Sequence, residues 1–310
     1  MSVKLFIDGA AGTTGLEIAD RLAGRSDVTF VTLDEARRKD AAARREALND
    51  ADFVILCLPD EAAREAVALI DNDRTRVIDA STAHRTAEGW TYGMAELEPS
   101  QPGAIASAMR VSNPGCYPTG FLALVRPLVR AGLIPHDWPV SVHAVSGYSG
   151  GGKAMIAEFE GGGSDTAFRG YATGLAHKHV GEMQRHARLA HPPLFTPAVV
   201  RTYRGMVVEV PLPLFAFQRR PSLTAIETAL REAYRESPVV RVLDSEGVST
   251  VEIEADAGTD RLSLRVFGNA ATGQARLVAT LDNLGKGAAG AAVQNFNLMA
   301  GFEQTDGLTL

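Results

Sequence analysis

A chain of 310 residues exceeds what one ordinary hydrophobic core accommodates and predicts two domains. Apolar residues make up 45% and charged residues 22%, proportions of a soluble globular protein, and the net charge of −6 speaks against nucleic acid or an anionic membrane surface as partner. No apolar run approaches a membrane span and the first residues carry no cleavable leader pattern, so the expectation is a cytoplasmic protein in which Cys57 and Cys116 are free thiols.

Val3 to Ile7 predicts a short buried strand, followed by Asp8-Gly9-Ala10-Ala11-Gly12-Thr13-Thr14-Gly15 and then by Leu16, Ile18, Ala19 and Leu22 at helical spacing. Strand, glycine loop and helix form the context in which a dinucleotide pyrophosphate rests on a helix N-terminus. Gly9, Ala11, Gly12, Thr13, Thr14 and Gly15 are therefore candidate cofactor contacts, although the spacing is G-x-x-G-x-x-G and not the commoner G-x-G-x-x-G. A second strand, Val28 to Leu33, ends at Asp34 and leads to Arg37, Arg38 and Lys39. An acidic residue there suits the free ribose of NAD and basic residues suit the phosphate of NADP; the basic cluster favours NADP and makes Arg37 and Arg38 candidates. Strands over Asp52–Leu58 and Arg76–Asp79, with a helix over Glu61–Ile70 between them, complete an alternation that predicts an α/β, doubly wound, Rossmann-type parallel sheet. Gly9, Leu58, Pro59 and Asp79-Ala80-Ser81 all fall at carboxyl ends of strands, where such sheets bind ligands.

The stretch Val111-Ser112-Asn113-Pro114-Gly115-Cys116-Tyr117-Pro118-Thr119-Gly120 precedes an apolar, helix-like run from Phe121 to Val129. Pro118 suits a first helical turn, so the helix is expected to begin beside it, and the N-terminal field favours a thiolate at Cys116. A small buried hydrophobe is the alternative for any free cysteine, but Asn113, Pro114 and Gly115 are poor company for a core residue.

Val140–Val145 reads as a strand, and Ser146 to Lys153 as a second glycine-rich loop that lacks the G-x-x-x-x-G-K-[ST] spacing, hence an anion-contacting or hinge loop. Strand character over Val199–Val210, Ser249–Ile253, Leu262–Asn269 and Gln274–Leu281, with a helix over Leu223–Tyr234, predicts an α+β second domain on a mixed or antiparallel sheet. Residues 116–283 are expected to form this catalytic and oligomerisation domain of a homo-oligomer, dimer or tetramer. Residues 1–115 are expected to form the nucleotide domain, completed over 284–310 by a small-residue helix running from Ala288 to Gly301. His177-Lys178-His179 precedes a helical segment reaching Leu189 and offers the base and acid that a nucleophilic cysteine needs. Zinc held by His177, His179, Cys116 and Glu182, and surface histidines without a role, stand beside that reading.

These residues together resemble the short-chain N-acetyl-γ-glutamyl-phosphate reductases of the aspartate-semialdehyde-dehydrogenase-like group, over nearly the whole chain. Gly9 to Gly15 is similar to that family's nucleotide loop, Asp79-Ala80-Ser81 with Arg85 to its D-x-S-x-x-x-R segment, and Tyr92 to Leu97 to its Y-G-x-x-E-L signature. The most specific likeness is Asn113-Pro114-Gly115-Cys116-Tyr117-Pro118-Thr119, with Cys116 on the family's nucleophile. Ser146-Gly147-Tyr148-Ser149-Gly150 resembles its S-G-x-S-G loop, His177-Lys178-His179 its H-x-H segment, and Asp282 to Gly287 its late cofactor-contacting turn. The resemblance implies Cys116, His179 and His177 as catalytic residues and Ser81, Arg85, Asn113, Ser146 and Gly147 as substrate contacts. It implies NADP(H) as cofactor, with Leu58, Pro59, Ser149, Gly150, Asn283 and Lys286 joining the glycine loop and the two arginines in holding it. Lys178 stands where arginine is common, Gly181 where proline often follows, and Thr82, Ala83 and His84 replace the more usual residues before Arg85. Aspartate-semialdehyde dehydrogenase and a non-catalytic dinucleotide-binding sensor are the two rival expectations.

Overall fold

Successive side chains of a strand point to opposite faces, and the first strands here are apolar on both. The computed structural model, which describes residues 2–34, 36–38 and 40–310, shows the consequence. The chain opens with β1 (Val3–Asp8), α1 (Thr13–Leu22), β2 (Val28–Val31), α2 (Ala41–Asp50), β3 (Phe53–Leu56), α3 (Asp60–Leu69), β4 (Arg76–Asp79), β5 (Thr91–Tyr92), α4 (Gln101–Ser107) and β6 (Arg110–Ser112). These strands form one parallel sheet in the order β2-β1-β3-β4-β6-β5. Leu5, Ile7, Phe53, Ile55 and Ile78 face one core, and Phe6, Val54, Leu56 and Val77 face the other. The order reverses between β1 and β3, so the ligand crevice of this doubly wound sheet lies where the loops after those two strands part.

The second unit carries α5 (Cys116–Arg130), β7 (Ser141–Gly147), α6 (Gly152–Glu160), β8 (Phe168–Gly170), α7 (Val180–Ala187), β9 (Leu194–Val200), β10 (Met206–Pro213), α8 (Leu223–Ala233), β11 (Val240–Val242), β12 (Leu262–Asn269) and β13 (Gln274–Leu281). Its seven strands make one mixed sheet in the order β11-β12-β13-β10-β7-β9-β8. Helix α5 lies against β10, β13, α7 and α8 and is buried nearly all round from Tyr117 to Leu128. Pro127 inside it has no N–H to give the Ala123 carbonyl, and the Tyr234 hydroxyl donates to that oxygen instead at 2.8 Å. The chain then returns to the first unit with α9 (Gly290–Ala300), whose Ala292, Val293, Phe296 and Met299 enter the core shared with β1, β3 and α1. By internal contacts the first unit comprises Met1–Ala95, Ser100–Pro114 and Ala288–Leu308, and the second Glu96–Pro99, Gly115–Gly287 and Thr309–Leu310.

Four expectations are corrected. Ser249–Ile253 is not a strand: β11 takes the edge beside β12, leaving the 243–261 connection irregular. Val199–Val210 is two strands, because β9 and β10 flank β7 on opposite sides and the chain must cross its end through a turn at 201–205. The glycine-rich run after Ser146 is not an open loop. A tight turn over Tyr148–Gly151 leads straight into α6. Helix α5 begins at Cys116, two residues earlier than expected, which leaves Pro118 inside the first turn, where a missing N–H breaks no helical bond.

Candidate active site

In the first unit the glycine loop leaves β1 at Asp8 and re-enters as α1, with Gly12 at the N-cap and no side chain capping it. Gly9 has φ +90, and a Cβ there would run into the Cys57 carbonyl, so only glycine lets the loop pass this close beneath the end of β3. A cavity of about 960 Å³ opens beside it, lined among others by Gly9, Ala11, Gly12, Leu58, Arg38 and Arg44. The uncapped N-terminus of α1, the tight glycine approach and this cavity fit the pyrophosphate and adenosine half of a dinucleotide. Of the two expected arginines, Arg38 faces the cavity, whereas Arg37 is exposed with its guanidinium 3.4 Å from Glu46. Lys39 lies outside the described residues. Arg44, on α2, was missed because α2 shows little amphipathic pattern; Asp8 holds it over the cavity through a 2.7 Å ion pair. Cys57 also lines the cavity, and its thiol is pushed up to about 12 by burial first and then by Asp79 and Asp8, so it stays protonated.

Asn113, Ser81 and Arg85 gather at the carboxyl ends of β4 and β6. Asn113 gives its amide to the Ala288 carbonyl at 3.0 Å and accepts from Asn295 at 2.9 Å, and Arg85 Nε donates to the Asn113 carbonyl at 2.9 Å. The Ser81 hydroxyl donates to Asp79 at 2.7 Å.

In the second unit Cys116 is the first residue of a 15-residue helix, directly after the N-cap Gly115. Glu182, only 2% exposed, reaches from α7 and accepts the Gly115 N–H at 2.8 Å. That bond fixes the start of α7, and with it both histidines, at the start of α5. The ring of Tyr117 lies 5.9 Å from that of His179 and 6.1 Å from that of His177, and the two imidazoles are 4.7 Å apart. Spacing alone signalled Glu182 only as a possible ligand; its anchoring role depends on α7 meeting α5, which no local pattern reveals. Gly287 closes the other side: a Cβ there would come within 2.9 Å of the Cys116 Cβ.

The histidines differ in environment. His177 Nδ1 accepts the His179 N–H at 3.1 Å, so its proton sits on Nε2, which faces the Tyr171 hydroxyl at 3.5 Å. Tyr171 donates to the Tyr117 hydroxyl at 3.3 Å, and Tyr117 to the Ala198 carbonyl at 3.1 Å. Burial, aided by the neighbouring Lys178 charge, lowers His177 to about 4, so it is neutral at neutral pH. His179 is the buried N-cap residue of α7. Burial raises Tyr171 to about 12 and Tyr117 well above its ordinary value, leaving both hydroxyls protonated near Cys116.

Ser146, Gly147, Ser149 and Gly150 lie at and just beyond the end of β7. Asn283 ties this turn to the late loop, donating to Ser149 Oγ at 2.8 Å and accepting the Gly205 N–H at 2.9 Å. Lys286 is 1% exposed and pairs with Glu96 at 2.8 Å, so its ammonium is held inside the second unit.

A Rossmann-type unit joined to a mixed-sheet unit that presents a cysteine at a helix start defines a semialdehyde-dehydrogenase-type protein. The family models agree: the semialdehyde dehydrogenase NAD binding domain matches residues 4–105 and the semialdehyde dehydrogenase dimerisation domain residues 116–283. Among solved structures, aspartate semialdehyde dehydrogenase II from Vibrio cholerae, complexed with ASA, shares the fold at TM-score 0.71 and 15% identity, covering 97% of this chain and 98% of that one. The aspartate semialdehyde dehydrogenase with NADP from Candida albicans does so at TM-score 0.68 and 14% identity, covering 97% and 99%. Sequence relatives are nearer. N-acetyl-gamma-glutamyl-phosphate reductase 2 of Nostoc sp. is 49% identical over 98% of this chain and 99% of its own, and the Brucella ovis reductase is 50% identical over 97% and 100%. The chain belongs to the N-acetyl-γ-glutamyl-phosphate reductase family, and so to the NAD(P)-dependent oxidoreductases.

Proposed function

We propose that this protein reduces N-acetyl-L-glutamyl 5-phosphate to N-acetyl-L-glutamate 5-semialdehyde with release of phosphate, as a step of arginine biosynthesis, and that it prefers NADP(H). The observation that carries the reading is the Glu182–Gly115 bond, which gathers Cys116 and the histidine pair at one helix start. Cys116, at the positive end of α5, attacks the acyl carbon, and the bond to phosphate breaks to leave a thioester and inorganic phosphate. The glycine loop, Arg38 and Arg44 would hold a nicotinamide dinucleotide, which when bound would supply the hydride for the two-electron reduction of that thioester. His179 takes the thiol proton at the start and returns it to the sulfur as the carbon–sulfur bond of the reduced adduct breaks, releasing the aldehyde and restoring the Cys116 thiol. His177, neutral and tied to Tyr171, keeps that ring in place. Arg38 and Arg44 in the cavity wall support NADP, and the match to a dimerisation domain supports a homo-oligomer. Among the described residues no helix is long and apolar enough to cross a membrane, in keeping with a cytoplasmic location.

The test is an assay in the oxidising direction with phosphate, offering N-acetylglutamate semialdehyde and aspartate semialdehyde, each with NADP and with NAD. Phosphate-dependent NADPH formation with the acetylated substrate is expected. Preference for aspartate semialdehyde would replace this reading with the dehydrogenase activity of the structural neighbours.

A further inference from the structure

We propose that His84 is a substrate-contact residue whose Nε2 binds an oxyanion, either the phosphate or a carboxylate of the substrate; the role rests on the reductase reading above. Strand β4 ends at Asp79, and the loop that follows leaves the carboxyl edge of the parallel sheet, where ligands of such folds bind. Asp79 is fully buried and gathers this loop around its carboxylate. It accepts the Ser81 N–H at 2.9 Å, the Ser81 hydroxyl at 2.7 Å and His84 Nδ1 at 2.6 Å. The His84 ring is also stacked on Trp90, with centroids 4.1 Å apart and planes 12° apart. One nitrogen and one face of the imidazole are thereby fixed, while Nε2 has no hydrogen-bond partner among the described residues.

Neighbouring side chains of the loop make bonds within the protein. Ser81 gives its hydroxyl to Asp79, Arg85 gives Nε to the Asn113 carbonyl and Nη2 to the Ala80 carbonyl, and Thr82 bonds Asp60 through its N–H and hydroxyl. A ring held this firmly, with a single nitrogen left over, is pre-organised for a ligand. The chemistry suits an oxyanion: a proton carried on Nε2 or on a phosphate oxygen closes the same N–O bond.

Two substitutions separate contact from scaffolding. His84→Asn keeps a donor near Nδ1 for Asp79 and removes Nε2; His84→Gln carries an amide towards the Nε2 position and gives up the Asp79 bond. With phosphate and N-acetylglutamate semialdehyde varied separately, His84→Asn should raise the KM of one of them about tenfold or more, and by more than it lowers kcat. His84→Gln should be less affected. A raised phosphate KM identifies the phosphoryl group as the ligand, and a raised semialdehyde KM the carboxylate. The reverse order, with Asn near wild type and Gln impaired, overturns the proposal in favour of a purely structural ring. A second measurement needs no turnover. The His84 imidazole resonance, identified by its loss in His84→Asn, should move when inorganic phosphate or N-acetylglutamate is added to the full chain, and immobility with both overturns the contact. Wild-type protein that turns over neither semialdehyde defeats the reductase reading, while the resonance still decides the role of His84.

Discussion

At the scale of single residues, two thiols and two histidines in one chain are told apart by surroundings that follow from where the fold puts them. Cys57 follows directly on β3 and is held near 12 by burial and by Asp79 and Asp8, whereas Cys116 opens α5. Iodoacetamide at neutral pH is expected to modify Cys116 and spare Cys57, read by peptide mass mapping; equal labelling would show that the helix start confers nothing. His177 is depressed to about 4, mainly by burial. Below the ordinary value of about 6.5 the unfolded chain binds a proton that the folded one refuses. Its contribution to stability is therefore complete above pH 6.5 and lost as pH falls from there towards 4. Denaturant midpoints should drop across that window in the wild type and less so in His177→Asn. For catalysis, His179→Asn should lower kcat by roughly 10²–10⁴ and His177→Asn by clearly less; the opposite order would exchange the two roles.

At the scale of elements, the pairing of α5 with α7 brings Cys116 and the two histidines to one helix start. Glu182→Ala leaves the buried Gly115 N–H without its acceptor, a loss of about 1–3 kcal/mol in stability, with Cys116 labelling slowed. Glu182→Gln, which keeps an acceptor, should recover most of the stability; if Ala and Gln behave alike, the bond does not position Cys116. Gly287→Ala should also cut activity, since the new methyl meets the Cys116 Cβ. Elements with strong local signals were readable from sequence: β1 and α1 from apolar periodicity around the glycines, and the Cys116 helix from its Pro-Gly turn. Helix α2, with only Ala43, Ala47 and Leu48 buried, offered too faint a pattern, and with it Arg44 went unread. Ser249–Ile253 alternated like a strand yet found no ladder, because register is decided by partners distant in sequence.

At the scale of the whole molecule, the parallel-sheet unit carries the cavity beside the glycine loop and the mixed-sheet unit carries Cys116 with the two histidines; on the proposed reading the first would hold the nucleotide and the second would carry out the acyl chemistry. The class of each sheet was legible because parallel strands buried on both faces read as continuous apolar runs, while the second sheet's hairpins read as alternation. Less legible was the use of charged residues as internal struts. Lys286, expected at the cofactor, pairs with Glu96, and Lys286→Met should cost about 3–5 kcal/mol by removing one member of a buried ion pair. Cofactor choice belongs to this scale too. Arg38→Ala should raise the KM for NADP by about tenfold and leave that for NAD little changed, as a lost charged hydrogen bond to a phosphate would.

The proposed reaction passes through a thioester at Cys116, and the most direct measurement seeks it without phosphate present. Full-length protein mixed with N-acetylglutamate semialdehyde and NADP, with no phosphate to release the acyl group, should produce a burst of NADPH close to one per active site. Mass spectrometry of the quenched protein should then find the N-acetylglutamyl group on the peptide that holds Cys116. No burst and no adduct in a protein that turns over once phosphate is added, or undiminished turnover by Cys116→Ala, would contradict the mechanism.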